Sequence, residues 1–348
     1  MMKKRLASIL LIVAMVLSLA ACSGTNTDGG DTQTEGNSGS EATDGSGEQE
    51  TSDDTYRVGM AVYNLTNPVW SELVEEAQRY GKEKNLEVTY ADAGQDSTKQ
   101  ISQIENFIQS GMDAIIILAI DVEAVEPVAK KAMDKGIYVI DYCRGLQNAD
   151  TSLELDPEKT GRALAEMAKD WLDHNMDVSD GFKWGLLDIQ TVELGVQEGK
   201  ACEEAMAEIM PNAELVANAS TLTVDEGMKN TESILQANPD LRVMLGLSAG
   251  SGVGGNEAMK AAAGSEDAYK DYALFSIDAT EQEVLAIMND EVLKGSISLG
   301  SGKVHAQMLI DYADALLHGK EVERKNYMPI EAITSENVEE FYDNTYKK

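Results

Sequence analysis

Basic residues are scarce in this chain. Lys and Arg number 28 against 61 Asp and Glu, so the formal charge over 348 residues is −33. So acidic a surface repels nucleic acid and anionic lipid, and it disfavours a ligand of high negative charge. Cysteine is equally thin, with only Cys22, Cys143 and Cys202. Three thiols do not make a disulfide framework, although an oxidising compartment would permit one Cys143–Cys202 bond. The three histidines, His174, His305 and His318, have no metal-ligand spacing, which removes a His-built zinc site. The apolar run Leu10–Leu17 is too short to span a bilayer, which takes about 20 apolar residues. No Ser/His/Asp triad, Cys/His pair or glycosidase-like carboxylate pair has local support, so the sequence points to no enzyme chemistry and no cofactor.

That same run sits between Lys3-Lys4-Arg5 and Leu19-Ala20-Ala21-Cys22. A charged start, a short apolar stretch and small residues before a cut site make a secretory signal. With Cys directly after the small residues, it resembles a bacterial lipoprotein signal. The resemblance implies that residues 1–21 are removed, that Cys22 carries the lipid, and that the protein is held outside the cytoplasmic membrane. Losing Lys3, Lys4 and Arg5 makes the mature chain still more acidic. Residues 23–55 are almost entirely Ser, Gly, Thr, Asn, Asp and Glu, a composition that cannot bury a core and predicts a disordered tether. As a flexible coil its mean reach is roughly 30 Å.

From Tyr56 the pattern changes to alternating strands and helices. Short apolar runs predict strands at 57–63, 86–91, 113–119, 138–142, 184–187, 215–219, 243–247, 273–277 and 296–299. Amphipathic stretches predict helices at 68–84, 97–110, 122–135, 158–174, 194–209, 225–237, 254–263, 280–290 and 303–318. Asn67-Pro68 reads as a cap with Pro at the first helical position. Gly111 and Gly136 close two helices. Such alternation means parallel sheets with helices on both faces, and so many units predict an α/β protein of two doubly wound lobes. Ligands in these sheets bind outside the carboxyl ends of the strands.

Several residues at predicted strand ends carry binding chemistry. Asn67 offers amide donor and acceptor atoms and Trp70 an apolar face, the pairing a sugar needs; a cap and a core Trp are the plainer alternatives. Arg144 presents a planar fork of donors suited to hydroxyls or a carboxylate, or to a surface salt bridge. Asp278 can accept from vicinal hydroxyls or cap the helix at 280–290. Gly250-Ser251-Gly252-Val253-Gly254-Gly255 matches the dinucleotide fingerprint formally, but it falls late in the chain; a site-lining loop or tight packing accounts for it better. Gly300-Ser301-Gly302-Lys303 lacks the upstream Gly and following Ser/Thr of a phosphate loop. Asp173, Asn175 and Asp177 alternate as in calcium loops, yet the turn Gly and terminal Glu are replaced by Val178 and Trp184. No metal is expected.

The stretch from Tyr56 onward resembles the sugar-binding branch of type I periplasmic binding proteins, the ribose/galactose/xylose-binding-like receptors of ABC importers. The resemblance rests on an ordered set: Asn67-Pro68-Val69-Trp70, the third strand running into Asp121, Tyr138-Val139-Ile140 running into Arg144, Asn238-Pro239-Asp240, Ser276-Ile277-Asp278, and Ile333 to Glu339. It implies two lobes joined by three crossovers, with lobe one at 56–154 plus 300–327 and lobe two at 155–299 plus 328–348. It also implies ligand contacts at Asn67, Trp70, Arg144 and Asp278. Its partners would be a small carbohydrate-like ligand and an ABC permease, with no nucleic acid and a monomeric state. A sensory receptor presenting ligand to a membrane kinase or chemoreceptor, or a receptor for a non-sugar molecule, is the alternative.

The chain departs from the family pattern where Cys143 replaces an Asp beside Arg144, Ala119 an Asn, Val196 an Arg beside Gln197, Ser248-Ala249 an Asn-Asp, and Leu299 a polar residue. A heavily hydroxylated sugar would leave polar groups unpaired, at roughly 1–3 kcal/mol each. The expected ligand is therefore smaller, less hydroxylated or more apolar than glucose, or is read by substitutes. Asn64, Gln95, Cys143, Gln190, Gln197, Ser248 and Ser251 are the candidates.

Overall fold

A computed structural model describes residues 55–65 and 68–347. Cys22 and the tether lie outside the described residues, as does Asn67. Two six-stranded sheets organise the body. The first holds β1 (Tyr56–Val62), β2 (Leu86–Asp92), β3 (Ala114–Ile117), β4 (Tyr138–Tyr142), β5 (Thr151–Glu154) and β11 (Asn326–Tyr327), in the order β11-β5-β4-β3-β1-β2, all parallel. The second holds β6 (Phe182–Asp188), β7 (Ala213–Ser220), β8 (Val243–Gly246), β9 (Ala273–Ile277), β10 (Leu293–Ser298) and β12 (Glu331–Thr334), in the order β12-β10-β9-β8-β6-β7. Only β12 runs antiparallel to its neighbour.

Both faces of each sheet are covered, which is why central strands read as unbroken apolar runs. Every residue of β3 and β9 is buried. The period-two alternation then sorts side chains between two cores per sheet. Met60, Val62 and Ile116 pack under α1 (Pro68–Glu83) and α9 (Gly302–Leu317). Ala61, Ile115 and Ile117 face α2 (Ser97–Ser110) and α3 (Val122–Met133). In the second sheet Leu186 and Phe275 pack with α4 (Pro157–Asn175) and α5 (Glu193–Ile209). Leu187, Met244 and Leu274 pack with α7 (Ala249–Ala263), α8 (Glu281–Met288) and α10 (Val338–Thr345), while α6 (Val224–Ala237) lies against α7.

Three connections join the sheets. β5 leads into α4, β10 into α9, and β11 into β12. Each leaves a strand's carboxyl end, so the carboxyl edges of both sheets border the hinge. No helix among the described residues is long and apolar enough to cross a membrane.

Of the two readings of 250–255, the structure supports tight packing and not the site-lining loop. That stretch is not a loop: α7 begins at Ala249, capped by Ser248, whose hydroxyl accepts the Ser251 N–H while Ser251 returns the bond. The glycines permit tight packing. A Cβ on Gly254 would stand 2.6 Å from the Met228 amide, and one on Gly250 2.7 Å from the Thr223 carbonyl carbon, so α6 and α7 meet backbone to backbone. The sequence reading also missed β5, β11, β12 and α10. These pieces are short and partly polar, and pairing with longer neighbours sets them.

Candidate functional site

The carboxyl edge of the first sheet is built around an aromatic cluster. Helix α1 starts at Pro68, as its fixed φ and missing N–H favour, and carries Trp70 in its first turn. Trp70 is half-buried, its body against the core and its ring edge-on to Tyr142 at 5.8 Å and 87°. β4 ends at Tyr142, and the chain turns sharply through Cys143, which has φ 59°. Asp141 fixes that turn by accepting the N–H groups of Gly145 at 2.7 Å and Leu146 at 3.2 Å. The turn throws Arg144 into solvent, where its guanidinium lies 5.5 Å from the centre of the Tyr63 ring. Arg144 has no ion pair among the described residues, so the salt-bridge alternative falls away. Asn64 is buried just beyond β1.

Cys143 packs its side chain against the core, and burial pushes its thiol up to about 12. Cys143 and Cys202 are both free, so the bond that an oxidising compartment would permit is not formed. Metal-holding groups of His, Cys, Asp and Glu are absent among the described residues.

On the second sheet Asp278 follows β9 with φ 93°, a conformation an L residue rarely holds. It does not cap α8; Thr280 does, in a capping box with Glu283. The Asp278 carboxylate instead accepts the Ala249 N–H at 2.8 Å, at the amino end of α7, and the residue stays exposed. Crowding by neighbouring atoms pushes this carboxyl up from its ordinary value, and the Ala249 N–H pulls the other way. Beneath it, Glu283 is buried and bonded to Ser276 and Thr280. Glu198 on α5 is buried close enough to feel the Asp278 charge, and its Oε1 has no hydrogen-bond partner.

The substitute residues divide. Gln190 is exposed past β6 and donates to Asp188 at 2.9 Å and Asn218 at 3.1 Å, giving this edge a polar network. Gln95 is exposed with φ 67°. Gln197 is exposed on α5, donates to Glu193 at 3.0 Å, and lines a groove of about 680 Å³ with Glu154, Pro157, Lys325 and Tyr327. Ser248 and Ser251 are buried, and their hydroxyls are spent on capping α7 and on the Thr221 carbonyl. Exposed apolar residues crowd the starts of α5 and α6: Val192, Leu194, Val196, Leu222 and Val224.

Sequence reasoning passed over Tyr63, Tyr142 and His305. His305 was weighed only as a metal ligand; its place one turn after a crossover was the available signal. Tyr142 stands next to two residues that were singled out.

A model of the periplasmic binding protein domain matches residues 58–321. The xylitol-binding protein of Mycolicibacterium smegmatis is 23% identical over 85% of this chain and 82% of its own length. The ribose import binding protein of Bacillus subtilis is 24% identical over 80% of this chain and 87% of its own. The solved structure of a periplasmic ribose ABC transporter protein from Conexibacter woesei superposes with a TM-score of 0.70 at 22% identity, covering 83% of this chain and 94% of that one. Two doubly wound sheets joined by three connections, and a family match spanning most of the chain, make this protein a member of the periplasmic binding protein family.

Proposed function

We propose that this protein is an extracytoplasmic solute receptor. It binds a small carbohydrate-like or polyol ligand between its lobes and delivers it to an ABC import permease. Residues 56–154 plus 300–327 and 155–299 plus 328–348 move as the two lobes. Cys22 carries the lipid that anchors the chain to the membrane. Trp70, Arg144 and Asn67 hold the ligand from lobe one. Asp278 holds it from lobe two, with Gln190 and Gln197 as further polar contacts.

One observation carries the reading: an apolar indole face and an exposed guanidinium stand on one carboxyl edge, and an exposed carboxylate on the other. The named ligands of the xylitol- and ribose-binding relatives support the ligand class. The apolar rim at Val192, Leu194 and Leu222 supports a ligand with fewer hydroxyls than glucose.

The test is thermal unfolding of the chain against pentoses, hexoses, polyols and nucleosides. A ligand at 100 times its dissociation constant should stabilise the fold by about 2.7 kcal/mol. No shift across the panel, with folded protein, would overturn the carbohydrate reading.

A further inference from the structure

His305 occupies the first turn of α9, directly after the Leu299-Gly300-Ser301 connection, and its ring folds back over that connection. Nε2 stands 2.7 Å from the Leu299 carbonyl oxygen. A carbonyl only accepts, so Nε2 carries the hydrogen, and Nδ1 is left to accept the Tyr142 O–H at 2.8 Å. Burial pushes the imidazole pKa down and keeps this neutral tautomer. Gly300 has φ 93°, and a Cβ there would stand 3.0 Å from His305 Nε2 and 3.1 Å from Pro329 Cγ. Gly300 is thus wedged between the His305 ring and Pro329, which lies on a second connection, between β11 and β12. On its other side, Tyr142 meets Trp70 edge to face.

Bending a hinge turns the carbonyls of its connecting segments. A bond from a fixed ring to Leu299 O thus favours one hinge angle, and whatever displaces Tyr142 loosens it. We propose that His305 is a positioning residue that couples the Trp70–Tyr142 platform to the hinge at Leu299–Gly300. This rests on the reading that the lobes close on a ligand. Burial alone requires that both ring nitrogens be matched; what singles His305 out is that its two partners, Tyr142 on β4 and Leu299 on a connection between the sheets, lie on different parts of the molecule.

The experiment is amide hydrogen exchange on the chain purified without added sugar, comparing wild type, Tyr142→Phe and His305→Leu. Tyr142→Phe removes one oxygen and keeps the ring. It should speed exchange in the 299–305 segment roughly fivefold, the factor that one net hydrogen bond controls. His305→Leu should speed it at least as much. Exchange in β1 and β3 should stay at the wild-type rate in Tyr142→Phe. Unchanged exchange at 299–305 in Tyr142→Phe would overturn the coupling, whatever His305→Leu does. Equal acceleration in all segments would overturn it too, by showing a merely structural bond. Because no ligand is added, failure to find a sugar ligand would count against the proposed function alone.

Discussion

The carboxylate of Asp278 accepts the backbone N–H of Ala249 at 2.8 Å, tying the end of β9 to the amino end of α7. The tie holds an L residue at φ 93° and keeps its charge at the carboxyl edge of the second sheet. Asn tolerates positive φ and can still accept that N–H. The folded pKa is raised, which alone would cost stability above the unfolded value, but solvent reaches the exposed carboxylate and screens that cost. Asp278→Asn should therefore match wild type in stability at pH 3 and at pH 8, by urea titration. It should also weaken ligand binding at least about tenfold, the 1.4 kcal/mol of one charged hydrogen bond.

Glu198 gives a sharper pH signature. Burial pushes its carboxyl up to about 7 from an ordinary 4.5. Between those values the folded chain holds a proton that the unfolded chain has released, so stability falls as pH rises through that window. Glu198→Gln removes this loss. It should gain on the order of 3 kcal/mol over wild type at pH 8 and nothing at pH 4. A pH-independent difference would show that the carboxyl finds solvation the fold does not display.

The α6–α7 contact predicts a contrast between adjacent glycines. A Cβ on Gly254 meets backbone of Gly227 and Met228, which cannot yield without moving a helix. One on Gly255 meets the Leu274 side chain at 3.1 Å, which can rotate. Gly254→Ala should cost about 3 kcal/mol and Gly255→Ala under about 1 kcal/mol, read by urea denaturation at equal protein concentration.

Trp70 is both platform and packing. Trp70→Ala should cost about 2 kcal/mol of stability, because the ring is only partly buried and the edge contact with Tyr142 is lost. Trp70→Phe should restore most of that stability and part of the binding. Calorimetry alongside thermal unfolding separates the two effects.

The sequence made the layered α/β plan legible because covered parallel strands leave unbroken apolar runs, as at Ile115-Ile116-Ile117, and a glycine closes a helix, as at Gly111. The α7 start was not legible, since four glycines in six residues argue against helix until the partner backbone of α6 is known to lie on them. At Ser248 and Ser251 a capping box and a ligand-binding pair would use the same hydroxyls, so the sequence alone does not show that they cap α7. Trp70, Arg144 and Asp278 were legible as strand-end residues with binding chemistry. The Tyr63 platform beneath Arg144 and the His305 bridge were not, because each depends on segments more than 80 residues apart meeting at the hinge.

The most direct measurement is calorimetric titration of the chain with ribose, 2-deoxyribose and erythritol, in wild type, Trp70→Ala and Asp278→Asn. The account predicts one-to-one binding of at least one polyol or sugar, weakened about tenfold or more by each substitution, because each lobe contributes one wall of the site. Binding that survives either substitution unchanged, or none in folded protein, would contradict it.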